Sequence, residues 1–293
     1  QVLCGLEAAA TVTRCRGARA LTMVAYNEEL SVLFVALVTL AMAGAHARAA
    51  RKGAMRFATI EWAHVSQGVG GIAPAYIAAY RLASAAYVFS VLLLATLDCD
   101  PDARRMIPGM VAVGCTFALA TFTLWAWALI GVYMLMAGAT SLLEACGVRG
   151  GRGPRTRAWL CACWVLCEVT LAAAFLVFFV VWVVLVPEAK IRLGSFAFLL
   201  RFKPLSMHNL NVVIMALEWR LNRLCYLREH VFFTLYLGNA YLVFSWFWYS
   251  YAGIFFYFFI DFRSPYVFLG YSLIIMAGGV MHEGSWRGVR SAK

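Results

Sequence analysis

The stretch WLCACWVLCEVTLAAAFLVFFVVWVVLV, from Trp159 to Val186, holds one charged residue, Glu168, in an otherwise apolar run. The hydrocarbon core of a bilayer is ~30 Å thick, and a helix needs ~20 apolar residues to cross it. This run is long enough and is read as a membrane-spanning helix. Before it lies a flexible basic loop, Gly147-Val148-Arg149-Gly150-Gly151-Arg152-Gly153-Pro154-Arg155. After it comes Pro187, which is expected to end the span because proline cannot continue a helix ladder.

Working outward, further apolar runs cover Leu30 to Ala45, Ala75 to Leu97, Val113 to Ala139, Leu205 to Asn222, Val231 to Phe259 and Tyr266 to Met281. The predicted fold is therefore all-α, a polytopic transmembrane bundle of about seven spans, within a range of six to eight. The first and last runs are short, and the fifth is the least hydrophobic. Asp98, Asp100, Pro101 and Asp102 form a turn after the second span, and Pro265 opens the seventh. Small residues (Ala41, Gly44, Ala45; Ala79, Ala83, Ala86) recur in the first two spans, where they are expected to allow close helix packing.

Composition agrees. Of the 293 residues, 63% are hydrophobic and 13% charged, against about 25% charged in a soluble domain. Too little polar sequence is present to coat a soluble core of this size. The net charge of +11 does not point to nucleic acid, because the basic residues lie in short clusters between apolar runs. Such clusters meet anionic lipid head groups and set orientation. Lys and Arg are more numerous in the loops after spans one, three and five and at the C-terminus than on the other side, which places that C-terminus on the cytosolic, matrix or stromal face. The first 22 residues, with Arg14, Arg16 and Arg19 against one acid, Glu7, among many Ala and Thr, read either as the tail of an organelle-targeting segment or as an ordinary solvated N-terminus.

Cys161, Cys163 and Cys167 lack metal-ligand spacing and read as packing residues. Only His208 lies well inside a predicted span; His46, His64, His230 and His282 fall in loops or at span ends. A bis-histidine haem is accordingly not expected, and no motif for a metal, nucleotide or other cofactor is present.

Polar groups inside a bilayer are costly and mark function or specific packing. In span five, His208, Asn211, Met215 and Glu218 fall near one helical stripe that should face the bundle interior. His208 is a candidate base or hydrogen-bonding group. Thr116, Thr121 and Thr123 occupy span three, where a threonine either bonds its own helix backbone or, beside a base, becomes a nucleophile. Arg81 in span two and Glu168 in span four are the predicted intramembrane ion pair, the alternative being an Arg81 that snorkels to the interface.

These residues carry a resemblance. Tyr80-Arg81, Phe122-Thr123-Leu124-Trp125, His208-Asn209-Leu210-Asn211 followed by Glu218, Tyr241-Leu242 through Trp246, and Tyr249, Gly253, Phe262 and Pro265 stand in an order similar to that of the rolling-stone and androgen-induced families of multi-pass membrane proteins. The likeness covers about residues 75–283. It leaves residues 1–29 as a basic segment, 30–74 as an extra span with its loop, and 284–293 as a basic tail. It implies an activity known in the androgen-induced members, hydrolysis of fatty-acid esters of hydroxy fatty acids by a membrane threonine and a histidine. Thr123 matches that threonine, with Thr121 its rival. His208 matches the first histidine of the family element, but the catalytic second position holds Asn211, which cannot act as a base at neutral pH.

Three functions follow as expectations. The favoured one is a non-catalytic structural or accessory component of a membrane assembly, such as an organellar complex subunit, with membrane lipids and other membrane subunits as partners and no nucleic acid. The second is the threonine hydrolase, using Thr123 and His208. The third is a binder or carrier of a lipid or small molecule.

Overall fold

The computed structural model describes residues 2–97, 119–151 and 153–292. Each predicted span falls on a helix, and among the described residues no strand is present. The helices are α1 (Val2–Arg51), α2 (Trp62–Ser66), α3 (Pro74–Leu97), α4 (Phe122–Ala145), α5 (Pro154–Val180), α6 (Val186–Leu193), α7 (Phe202–Leu205), α8 (Asn211–Leu221), α9 (Val231–Ala252) and α10 (Val267–Ala292). Six helical segments among the described residues are long and apolar enough to cross a membrane. The chain is thus an all-α, multi-pass integral membrane protein. The predicted turn at Asp98–Asp102, along with Thr116 and the start of the third predicted span, lies outside the described residues.

Several boundaries differ from expectation: the first helix starts at Val2, within the segment expected to precede the span, and the last runs on to Ala292. Pro187 does not end the fourth span. A π-turn, Val181–Leu185, joins α5 to α6, and the helix runs on to Leu193 before Gly194 caps it with a left-handed backbone (φ 69°). Proline is tolerated here because it sits in the first turn of α6, where the wider π-turn has already broken the regular ladder. The fifth span is helical from Phe202 to Leu221 but interrupted by a second π-turn, Ser206–Leu210. The sixth stops at Ala252, because Gly253 (φ 70°) reverses the chain. The aromatic run after it folds back as a loop and packs on α9 and α10 rather than prolonging the helix.

The tightest helix contact joins α3 and α4. A Cβ on Gly131 would lie 2.9 Å from Val88, and one on Gly138 would lie 2.9 Å from Leu82. The expected small-residue stripe of Ala79, Ala83 and Ala86 instead faces outward, as does Ala41 of α1. Close approach is supplied by the partner helix, whose two glycines admit the larger side chains of α3. Gly270 of α10 answers to a similar constraint, since a Cβ there would sit 1.7 Å from the Phe259 carbonyl oxygen of the returning aromatic loop. Helix α1 lies at the edge of the bundle against α9, joined through Asn239 to Thr39 and through His46 to Tyr236.

Candidate functional site

The stripe of span five points inward: His208, Asn211, Met215 and Glu218 are all buried. Its charged member is the centre of a closed network. Arg81 donates from Nε to both Glu218 oxygens at 3.1 Å and from Nη2 to Oε1 at 2.6 Å. Its Nη1 donates to the Val65 carbonyl at 2.5 Å and to Ser141 Oγ at 2.8 Å. Tyr133 donates its hydroxyl hydrogen to Glu218 Oε1 at 2.6 Å, and Asn222 Nδ2 approaches the same oxygen at 3.4 Å.

The predicted Arg81–Glu168 pair is therefore not formed. Consecutive residues on a helix point ~100° apart. Cys167 faces the Arg81 network, receiving Asn222 Nδ2 at 3.4 Å, whereas Glu168 turns toward the start of α9. There Oε2 lies 2.5 Å from His230 Nδ1, while Oε1 accepts from Trp164 Nε1 at 3.0 Å and from the Leu227 backbone N–H at 2.8 Å. His230 Nε2 is 3.0 Å from the Met55 carbonyl oxygen, and the Phe57 ring stacks on the imidazole. His230 is fully buried, and so is His282 of α10. Both were placed at span ends by sequence. The signal that could have found them is an unpaired Glu168 needing a proton donor at the level where α9 begins.

A cavity opens between α5, α9 and α10. It is walled by Ala173, Val177 and Val181, by Gly238 and Leu242, and by Ile274 and Gly278 among others, and Phe122 and Thr123 close one end with Tyr241 and Tyr257. Its volume is about 70 Å³, several times the ~10–15 Å³ one water occupies on this scale. The wall is nearly all aliphatic and aromatic. On α9 the lining residues are Thr234, Leu235, Leu237, Gly238, Tyr241 and Leu242, adjacent or near-adjacent residues repeated every three to four positions, so one helix face runs along it. Thr234 and Tyr241 are separated by ~10 Å at 1.5 Å rise per residue. A Cβ on Gly238 would meet nothing within 4 Å, so this missing side chain is part of what leaves the space open.

The sequence candidates divide around this cavity. Thr123, in the first turn of α4, lines it and meets the Tyr257 side chain. Thr121 is the N-cap of the same helix, its hydroxyl accepting from the Leu124 N–H at 3.3 Å. His208 sits in the π-turn of span five, outside the cavity wall, and its Nδ1 has no hydrogen-bond partner among the described residues. Asn211 donates to the Ala174 carbonyl at 3.4 Å. No hydrogen bond joins Thr123 to His208 among the described residues. What sequence reasoning did not anticipate is the polar group at the other end: Thr234 Oγ1 lies 3.2 Å from His282 Nδ1, and His282 Nε2 is 3.0 Å from the Leu227 carbonyl oxygen.

No family model, curated protein or solved structure matches this chain. The site must therefore speak through its own geometry: a closed polar scaffold on one side and an apolar slot with two polar ends on the other.

Proposed function

We propose that this integral membrane protein binds a lipid, holding its apolar chain in the cavity between α5, α9 and α10. The supporting observation is the wall itself. It is a nearly continuous aliphatic and aromatic surface following one face of α9, partly enclosed between the helices. Ligand sites between helices are commonly apolar with a few placed polar groups, and Thr123 and Thr234 are such groups. The slot's ~10 Å length along α9 is about two thirds of one leaflet's ~15 Å hydrocarbon depth, and its volume of about 70 Å³, below the ~150 Å³ of a cavity that takes one benzene, suits the first few carbons of a chain whose remainder leaves through the open side.

This is favoured over hydrolysis because Thr123 reaches the cavity while neither His208 nor any other described histidine lines it. A threonine without a base within reach is a poor nucleophile. The accessory-subunit reading rests on apolar and aromatic surface that faces lipid in any multi-pass protein, and the cavity is the more specific feature.

The test uses Gly238→Leu, which extends a side chain into open space and favours the helix over glycine by ~1 kcal/mol. Wild type and variant are purified from the same membranes, and bound lipid is extracted and quantified by mass spectrometry. Wild type is expected to retain near-stoichiometric lipid and Gly238→Leu to retain about a tenth or less, at an unchanged melting midpoint. Equal lipid in both would end this reading.

A further inference from the structure

We infer that the Thr234 end of the cavity selects a lipid carrying a free hydroxyl group, an inference that rests on the cavity being a lipid site. The argument is an accounting of hydrogens. Leu227's carbonyl can only accept, so His282 Nε2, 3.0 Å away, carries a proton. The ring is fully buried and forms no ion pair among the described residues, and the carboxylate of the adjacent Glu283 is engaged by Arg228 and Arg287. A cationic ring there would be an unpaired buried charge, which is costly. The ring is therefore neutral, and Nδ1 offers a lone pair. Thr234 Oγ1, 3.2 Å from Nδ1, donates its one hydrogen to it. Thr234 lines the cavity, and its oxygen, its hydrogen given to His282, keeps lone pairs for a ligand O–H and has no hydrogen to give.

Other threonines in these helices behave differently. Thr39, Thr140 and Thr170 each donate to the carbonyl of the residue four positions earlier, Val35, Met136 and Leu166. That is the usual fate of a threonine in a membrane helix. Thr234 gives its hydrogen to the histidine of another helix, and it does so on the wall of the cavity. An acceptor fixed in this way accepts a hydrogen bond from a ligand O–H and offers nothing to a ligand carbonyl or ether. The matching ligand is a long-chain or isoprenoid alcohol, or another lipid whose hydroxyl enters the bundle ahead of its chain.

The experiment uses the full-length protein in nanodiscs and three radiolabelled probes of equal chain length: a C16 primary alcohol, its methyl ether and the alkane. Wild type is expected to hold the alcohol about five- to tenfold more tightly than the ether, the difference of one hydrogen bond. Thr234→Val, nearly isosteric, is expected to abolish that preference, and Thr234→Ser to keep it. A preference that persists in Thr234→Val overturns the inference, as does equal binding of alcohol and ether by wild type, which needs no variant at all. Failure of all three probes to bind, or binding that Gly238→Leu leaves unchanged, overturns the lipid cavity itself and is distinguishable from loss of selectivity alone.

Discussion

Arg81 is fully buried in a membrane helix, yet its guanidinium donates to the Glu218 carboxylate, to Ser141 and to the Val65 and Ala137 carbonyls. Glu218 in turn accepts from Tyr133 as well as Arg81. A pair satisfied on both sides tolerates low dielectric, but removing one partner strands the other. Glu218→Leu or Arg81→Met alone should therefore cost about 3–5 kcal/mol. The double variant should lose less than the sum, with a coupling of at least ~2 kcal/mol. Denaturant titration in mild detergent reads both, and strictly additive losses would deny that the pair acts as a unit. At this scale the sequence was partly legible. Helical spacing identified the stripe through His208, Asn211 and Glu218, because spacing depends only on the helix. Pairing depends on depth and on which neighbour faces which. Adjacent residues Cys167 and Glu168 point into different networks, and nothing in one-dimensional spacing separates Arg81's partner, Glu218, from its alternative, Glu168.

The two π-turns, Val181–Leu185 and Ser206–Leu210, lie on neighbouring segments and are bridged by Trp182 donating to Asn209 Oδ1 at 2.9 Å. A π-turn amounts to one extra residue within an α-helix, with both flanks keeping their register. Deleting Val184 should therefore restore a regular helix and leave the faces of α5 and α6 where they are, at a cost of no more than ~1–2 kcal/mol. The same deletion at Ala172, inside α5, rotates the cavity-lining Ala173, Val177 and Val181 by ~100° and should abolish folding. Yield and monodispersity after size exclusion compare the two, and equal damage from both deletions would refute the register argument. The helices themselves were legible, since each apolar run found one. Their ends were not: Pro187 is a strong local breaker, but a π-turn upstream neutralises it. The aromatic run after Ala252 is apolar enough to extend a span, yet Gly253 turns it back to seal the cavity with Tyr257 and Phe259. Apolarity records burial, and a loop returning into the bundle is buried too.

Across the whole molecule, the six long apolar helices and the shorter segment Phe202–Leu221 alternate in direction, so the loops after α1, α4 and α8 and the C-terminal end of α10 share one face, where Gly68 bridges to Asn222 and Arg228 pairs with Glu283. Side-chain contacts support this independently. Glu144 at the end of α4 accepts from Trp62 and Gln67, and Arg223 after α8 donates to Gln67 at 2.8 Å. These bonds draw the ends of α4 and α8 together around the α2 segment. Exposed cysteines Cys146 and Cys225 lie beside those ends, and the basic residues Arg48, Arg51, Arg149, Arg223, Arg228 and Arg287 belong to the same side. An excess of Lys and Arg predicts which side that is, because cationic loops are retained rather than translocated. In sealed native membranes, a membrane-impermeant maleimide added from outside should label neither cysteine. After permeabilisation it should label both, as read by peptide mapping. Labelling of both before permeabilisation would preserve the fold and reverse its orientation. Labelling of one alone would break the alternation, since no arrangement of these helices puts Cys146 and Cys225 on opposite sides while keeping Gln67 bonded to both Glu144 and Arg223.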